Sequence, residues 1–189
     1  MARRVRAQLG QHHRYAHTVR VARLADRLAQ AHGANAAAAR TAGMLHDLAR
    51  LYSAERLIAE CASRGLPLDA FERRNPIVLH ARLGAELARE QFGVRDEATL
   101  DAIRRHTVAA AGMTRLDEIL YLADALEPGR DFAGRESLEA LAFRDLGAAM
   151  GALLQSTMAY LEARGLEPAP QTLAALETYA ARERRPLPA

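Results

Sequence analysis

Cysteine, lysine and tryptophan are nearly or entirely missing from this chain of 189 residues. Cys61 is the single cysteine, and neither lysine nor tryptophan occurs anywhere. One cysteine excludes an intramolecular disulfide and a cysteine-rich zinc site. Aromatic residues make up only 5% of the sequence, whereas alanine and leucine are abundant. This composition favours packed helices over a β-sheet.

The chain also lacks a long hydrophobic run and a block of charge of one sign. No apolar stretch is long enough to span a membrane, and the arginine-rich N-terminus is not followed by the apolar core of a signal peptide. We therefore expect a cytoplasmic protein. The formal net charge is +3, and acidic residues are interspersed among the arginines. A nucleic acid polymer is not expected as a partner, because its binding requires basic residues clustered on one face.

Hydrophobic periodicity and helix-boundary residues predict an all-α, single-domain protein of about nine helices spanning residues 1–189. N-caps are expected at Asn35, Ser53 and Asp96, and a capping box at Thr114 and Asp117. The predicted helices are 13–31, 36–51, 53–65, 76–93, 96–106, 116–126, 137–164 with an interruption near Gly147, and 172–184. Residues 67–75 are predicted to be a connection with a short helix, 107–113 a loop, and the terminal Arg-Pro-Leu-Pro a frayed tail.

A histidine and an aspartate, His46 and Asp47, stand side by side in the apolar run Gly43–Leu48. Buried polar groups cost free energy unless they are paired, hydrogen-bonded or bound to a metal. We therefore interpret the pair as adjacent ligands of one metal centre. A carboxylate can bridge two metals, which makes Asp47 the natural bridging candidate.

Four further polar residues, His17, His80, His106 and Asp124, occupy apolar stretches of other predicted helices. A lone histidine on an apolar face is more often a satisfied core residue than a ligand. Several in one small helical domain instead indicate a bundle core that collects metal ligands. Imidazole and carboxylate ligands suit iron, manganese, zinc, nickel or cobalt, and such metals activate water and neutralise phosphoryl charge. His12, His13 and His32 receive no role.

The order His17, His46-Asp47, Asp124 resembles the signature of the HD-domain superfamily of metal-dependent phosphohydrolases. Within it, the chain resembles the YqeK-type symmetrical diadenosine tetraphosphate hydrolases, the symmetrical bis(5'-nucleosyl)-tetraphosphatases, from about Arg14 to the last helix. The motifs that carry this resemblance are Arg14–Val21, Ala42–Arg50, Asn75–His80, Ala102–Thr107, Ile119–Asp124 and Glu127–Arg130.

This resemblance implies an HD-domain fold, with a motif core at about 13–130 and C-terminal helices at about 137–184. It implies a hydrolase that uses one or two iron ions to split diadenosine tetraphosphate into two ADP. By motif, His17, His46, Asp47 and Asp124 would hold the core metal, while His80 and His106 would face the phosphates or complete a second metal site. The residues implied in catalysis are Asp47, His80 and His106, and those implied in binding the ADP half are Arg14, Thr107 and Arg130.

Arg20 and Arg50 are phosphate-binding candidates on chemistry alone, because arginine grips phosphate oxygens bidentately. A solvated helix face is an equal or better explanation for each. The chain has Arg50 where the family usually has lysine, Ala81-Arg82 where it has a Gly-Pro-like pair, and Val108-Ala109 where it has Thr-Gly. These departures spare the metal set and leave the preferred nucleotide open.

Two alternatives follow from the same residues. One is an HD phosphatase acting on another nucleotide, such as a mononucleotide or an alarmone. The other is a catalytically silent module that binds a nucleotide or a partner, although an intact ligand set argues against it. The sequence does not determine the oligomeric state, and a homodimer is one of the states that it allows.

Overall fold

The computed structural model describes residues 1–183, which form eleven α-helices and one 3₁₀ helix and contain no β-strand. The predicted all-α class is therefore confirmed. The helices are α1 (Ala2–Leu9), α2 (His12–Ala31), α3 (Ala36–Leu45), α4 (Ala54–Ser63), α5 (Ala70–Arg74), the 3₁₀ helix (Pro76–Val78), α6 (Leu79–Phe92), α7 (Glu97–Arg105), α8 (Arg115–Leu126), α9 (Arg135–Arg144), α10 (Leu146–Ala163) and α11 (Pro170–Glu183). The helix end predicted at Arg184 and the Arg-Pro-Leu-Pro tail lie outside the described residues. None of the helices in residues 1–183 is both long and apolar enough to cross a membrane.

The predicted N-caps are confirmed. The side chains of Asn35, Ser53 and Asp96 accept hydrogen bonds from the first turns of α3, α4 and α7. Thr114 and Asp117 form the reciprocal capping box that opens α8. Each cap satisfies backbone N–H groups that a helix leaves unpaired at its start.

The helix predicted over 36–51 was too long, because α3 ends at Leu45. His46 occupies its C-cap, and the following residues form turns. Neighbouring side chains on a continuous helix point about 100° apart. In the turn after Leu45, the Leu48 N–H donates to the Leu45 carbonyl at 3.3 Å, and His46 Nε2 lies 3.7 Å from Asp47 Oδ2.

Other differences lie away from the motifs. Helix α1 was not predicted, since only Val5 and Leu9, one turn apart, are buried from it. The region predicted as one interrupted helix over 137–164 is two helices. The predicted interruption near Gly147 is confirmed, since the break falls at Asp145, whose side chain caps α10 by accepting from the Ala148 N–H.

Helix α2 packs against both α3 and α8, while α7 packs against α6 and α8. Gly43 allows the close contact of α2 with α3. A Cβ atom at this position would lie 2.6 Å from the Cα atom of Ala22. The backbones of α2 and α3 therefore touch, and this contact sets the distance between the histidines that the two helices carry.

Candidate metal centre

The structure brings together the six histidine and aspartate side chains that the sequence singled out as ligands. They form three overlapping triads, and within each triad the ligand atoms lie within 4.8 Å of one another. The triads are His17-His46-Asp47, His46-His106-Asp124 and Asp47-His80-His106.

Helix ends supply most of these side chains. His46 and His106 occupy the C-caps of α3 and α7, and Asp124 lies in the last turn of α8. The C-terminus of a helix carries partial negative charge and favours a cation. His80 is instead the second residue of α6, whose N-terminus favours an anion such as phosphate. The arrangement places cation-favouring and anion-favouring helix ends side by side.

Asp47 occupies the middle of the cluster and turns its two oxygens in different directions. Its Oδ2 atom lies 3.8 Å from His17 Nε2 and 3.7 Å from His46 Nε2. Its Oδ1 atom lies 3.4 Å from His80 Nε2 and 4.0 Å from His106 Nε2. One carboxylate thus faces two pairs of imidazoles, as a carboxylate shared between two ions would.

The outer nitrogen of each ring is held by a hydrogen bond. The Nδ1–H groups of His46, His80 and His106 donate to the backbone carbonyls of Gly43, Ile77 and Ile103, at 2.8, 2.5 and 2.7 Å respectively. A carbonyl can only accept, so Nδ1 carries the hydrogen and Nε2 presents a lone pair to the centre. The Nε2 atom of His46 is buried and has no hydrogen-bond partner among residues 1–183. A divalent cation fits this set, because it needs such inward-facing lone pairs beside carboxylates.

Burial and charge keep this set ready for a cation at neutral pH. Burial, together with the neighbouring His46 and His80, lowers the pKa of His106 to about 3. Burial also lowers the pKa of His80. Although burial alone would raise the pKa of Asp47, the nearby imidazoles lower it below its ordinary value. Two neutral rings therefore face an ionised carboxylate on this side of the centre.

His17 titrates in the opposite direction. Burial would lower its pKa, but hydrogen bonds to Asp124 and Glu127 and the charge of Asp124 outweigh burial and raise it. Its Nε2 atom lies 3.1 Å from Asp124 Oδ1. With Asp124 and Glu127 both within 3.1 Å of its ring, His17 lies on the more anionic side of the centre.

A cavity of about 390 Å³ opens above the cluster. All four residues predicted to contact the substrate line this cavity: Arg14, Arg50, Thr107 and Arg130. Arg14 lies 3.7 Å from Asp47, and Arg130 binds Asp124 at 2.7 Å. The Thr107 hydroxyl lies 3.2 Å from the Nε2 atoms of both His80 and His106. Three arginines beside a cation site can accept an anionic ligand.

Known proteins are similar to this chain in fold and in sequence. The model of the HD-domain family matches residues 14–129. This chain belongs to the HD-domain family. It is similar to an HD superfamily hydrolase structure from Clostridium acetobutylicum, described as predicted and as involved in NAD metabolism. That structure has a TM-score of 0.92 and 32% identity, with 96% of this chain and 95% of that chain covered.

The HD domain also has curated relatives. A symmetrical bis(5'-nucleosyl)-tetraphosphatase of Bacillus subtilis is 39% identical over 157 residues, which is 83% of each chain. One of Halalkalibacterium halodurans is 35% identical over 162 residues, which is 86% of each chain. The resemblance read from the motifs is confirmed.

The sequence reasoning missed one residue of this HD domain and misjudged another. Glu127, directly after α8, is only 1% exposed, and its carboxylate accepts a hydrogen bond from His17 Nδ1 at 3.0 Å. Arg20 is not among the residues that line the cavity, and its guanidinium binds Glu127 instead of facing a phosphate. The signal was the Glu127–Arg130 motif, in which only Arg130 had been given a role.

Proposed function

We propose that this HD domain is a symmetrical bis(5'-nucleosyl)-tetraphosphatase, a metal-dependent hydrolase that cleaves diadenosine tetraphosphate into two ADP. The observation that carries the proposal is Asp47, whose two oxygens serve different histidine pairs beneath a cavity lined by arginines. The curated relatives of this name support the substrate, since they match most of the chain. Residues 14–129, which match the HD-domain family, and the later helices would act as one domain, because α10 packs on α8.

The core ion would be held by His17, His46, Asp47 and Asp124. His80 and His106 would join Asp47 around a second ion. The lowered pKa of His106, about 3, favours this role over that of an acid, because the Nε2 atom that faces the centre carries no proton to give at neutral pH. We favour iron from the family resemblance, and the donor set accommodates manganese, cobalt, nickel or zinc equally well. Ions bound here would lower the pKa of water and neutralise phosphoryl charge.

The remaining work falls to side chains that line the cavity. Arg14 and Arg130 lie beside the two carboxylates, so they would bind phosphate oxygens close to the ions. Arg50 would bind oxygens further along the phosphate chain, and the Thr107 hydroxyl would donate a hydrogen bond to the same chain. Symmetrical cleavage requires these groups to grip two phosphates on each side of the broken bond.

Product analysis tests the substrate and the bond that is cleaved. The metal-loaded protein is incubated with diadenosine tetraphosphate, and the nucleotides are separated by chromatography. We expect ADP alone. A mixture of ATP and AMP would contradict symmetrical cleavage, and turnover of a mononucleotide only would favour another HD phosphatase.

The Asp47→Ala variant tests the centre itself. Both triads that use Asp47 lose their shared ligand, so metal content and turnover should fall together to background. Asp26→Ala is the matched control, because Asp26 pairs with Arg40 at the surface and should leave both unchanged. An active, metal-free Asp47→Ala protein would refute the proposal, and a wild-type protein without metal or turnover would favour a silent module.

A further inference from the structure

We propose that Glu127 is a positioning residue, whose carboxylate fixes the His17 ring as a metal ligand and so sets the affinity of the centre for its ion. The role rests on the metal-dependent function proposed above.

His17 differs from the other three histidines of the centre in the group that holds its outer nitrogen. Those three donate to backbone carbonyls three residues earlier in the chain. His17 Nδ1 instead lies 3.0 Å from Oε1 of Glu127, which is 110 residues away. A carboxylate is a stronger acceptor than a carbonyl. It keeps the hydrogen on Nδ1 and makes Nε2 a more basic ligand.

Glu127 is itself held in place by several donors. Arg20 donates from Nε to Oε2 and from Nη2 to Oε1, the latter at 3.1 Å. The Gly129 N–H donates to Oε2 at 2.6 Å. These three bonds fix the carboxylate in place beside the His17 ring. A Cβ atom at position 129 would overlap the Arg20 guanidinium, so the turn is built around this contact.

The end of α8 and the turn after it contact the His17 ring at both of its nitrogens. Asp124, in the last turn of α8, approaches Nε2 at 3.1 Å, while Glu127 approaches Nδ1. His17 and Arg20 lie one turn apart on α2, so Glu127 binds two neighbouring side chains of that helix. Glu127 is not among the residues that line the substrate cavity. Its loss should therefore act on the ion rather than on substrate binding.

The Glu127→Gln variant tests the proposal in the full-length protein, stripped of metal and titrated with Zn²⁺ against a chelator. The change removes the charge and keeps the size of the side chain. We expect Zn²⁺ affinity to fall about 10- to 100-fold, as is usual for the loss of a group that orients a metal ligand. At saturating metal, KM for diadenosine tetraphosphate should stay at the wild-type value.

Glu72→Gln is the matched control. Glu72 is another buried carboxylate, but it binds Arg82, at 2.6 and 2.7 Å, and caps α5. It should leave Zn²⁺ affinity unchanged. Wild-type affinity in Glu127→Gln would overturn the proposal, and so would an equal loss in Glu72→Gln at equal thermal stability. A wild-type protein that binds no Zn²⁺ would instead overturn the proposed function as well.

A measurement on the unmutated protein decides the question even if the variants do not fold. In the Zn²⁺-loaded protein, nitrogen-15 NMR of the histidine rings reports which nitrogen carries the hydrogen. We expect His17 to hold a slowly exchanging Nδ1 proton, further downfield than those of His46, His80 and His106. A His17 ring with its proton on Nε2, or with an Nδ1 proton in fast exchange with water, would overturn the proposal.

Discussion

Replacing Gly43 by alanine should damage stability and metal binding together, because this glycine sets the contact between α2 and α3. The added Cβ atom would lie 2.6 Å from the Cα and 2.9 Å from the N atom of Ala22. Both are backbone atoms, so no side chain can rotate away. Restoring an ordinary contact of 3.4 Å requires the two helices to separate by roughly 0.8 Å.

The size of the effect follows from two opposing terms. Overpacking of a close contact typically costs about 1–3 kcal/mol, and alanine in a helix regains about 1 kcal/mol over glycine. We expect a net loss of up to about 2 kcal/mol. The shift also moves His46 relative to His17, and ligand distances in metal sites hold to about 0.2 Å. Zn²⁺ affinity should therefore fall by roughly tenfold or more, at about 1.4 kcal/mol per factor of ten.

Urea unfolding of the metal-free protein and chelator competition with Zn²⁺ measure the two effects. Gly147→Ala is the matched control, since its Cβ atom would meet only Asp145 Oδ1 at an ordinary 3.4 Å within α10. It should raise stability by about 0.5–1 kcal/mol and leave metal affinity unchanged. A Gly43→Ala protein as stable as the wild type, with the same affinity, would refute the reasoning.

Three further measurements test particular residues. Arg130→Met should raise KM for diadenosine tetraphosphate about tenfold, as one charge-assisted bond of about 1.5 kcal/mol is lost, and should leave metal content intact; an unchanged KM would remove Arg130 from substrate binding. Ala109 has a left-handed φ of 59°, and Ala109→Gly would relieve about 1–2 kcal/mol of backbone strain. The substitution also raises the entropy of the unfolded chain and removes one buried methyl group, which offsets that gain. The free energy of unfolding should therefore change by less than about 1 kcal/mol. Zn²⁺ affinity should rise with pH through the raised pKa of His17, since the ion displaces the proton of that ring. In the metal-free protein, protonated His17 stabilises the fold below about pH 6.5, and this contribution is lost as pH rises through the raised pKa. Affinity that does not vary with pH would contradict this assignment.

Local signals in the sequence predicted most helix boundaries. Side chains such as Asn35 and Asp96 cap helices by bonding their own first turn, so the signal is contained in four residues. Helix α1 could not be predicted in this way. Only two buried residues, Val5 and Leu9, attach it to the core, where it packs on α2 and α3, and two apolar positions are too few to give a helical period.

The candidate site was predicted where residue type carries the information. Histidines and aspartates in apolar runs stand out, and the structure places all six around one point. Glu127 could not be found by the same criterion, because it lies at a helix end beside a Pro-Gly turn, where a glutamate is unremarkable. Its role depends on a contact with His17 across 110 residues, and spacing along the chain does not reveal such a contact. Arg20 was misread for the same reason, since its partner is this buried carboxylate.

The end of α3 shows how the chemistry of the site and the fold depend on each other. Leu48 and Ala49 are buried and follow a helix-forming run, yet the helix stops at Leu45. Beyond the helix the backbone continues in turns, in which the Leu48 N–H donates to the Leu45 carbonyl at 3.3 Å. Ending the helix there places His46 at a C-cap, where the negative end of the helix favours a cation. Asp47 then lies among four imidazoles, each already oriented by a bond at its outer nitrogen. Metal binding should therefore stabilise the fold as well as enable the reaction.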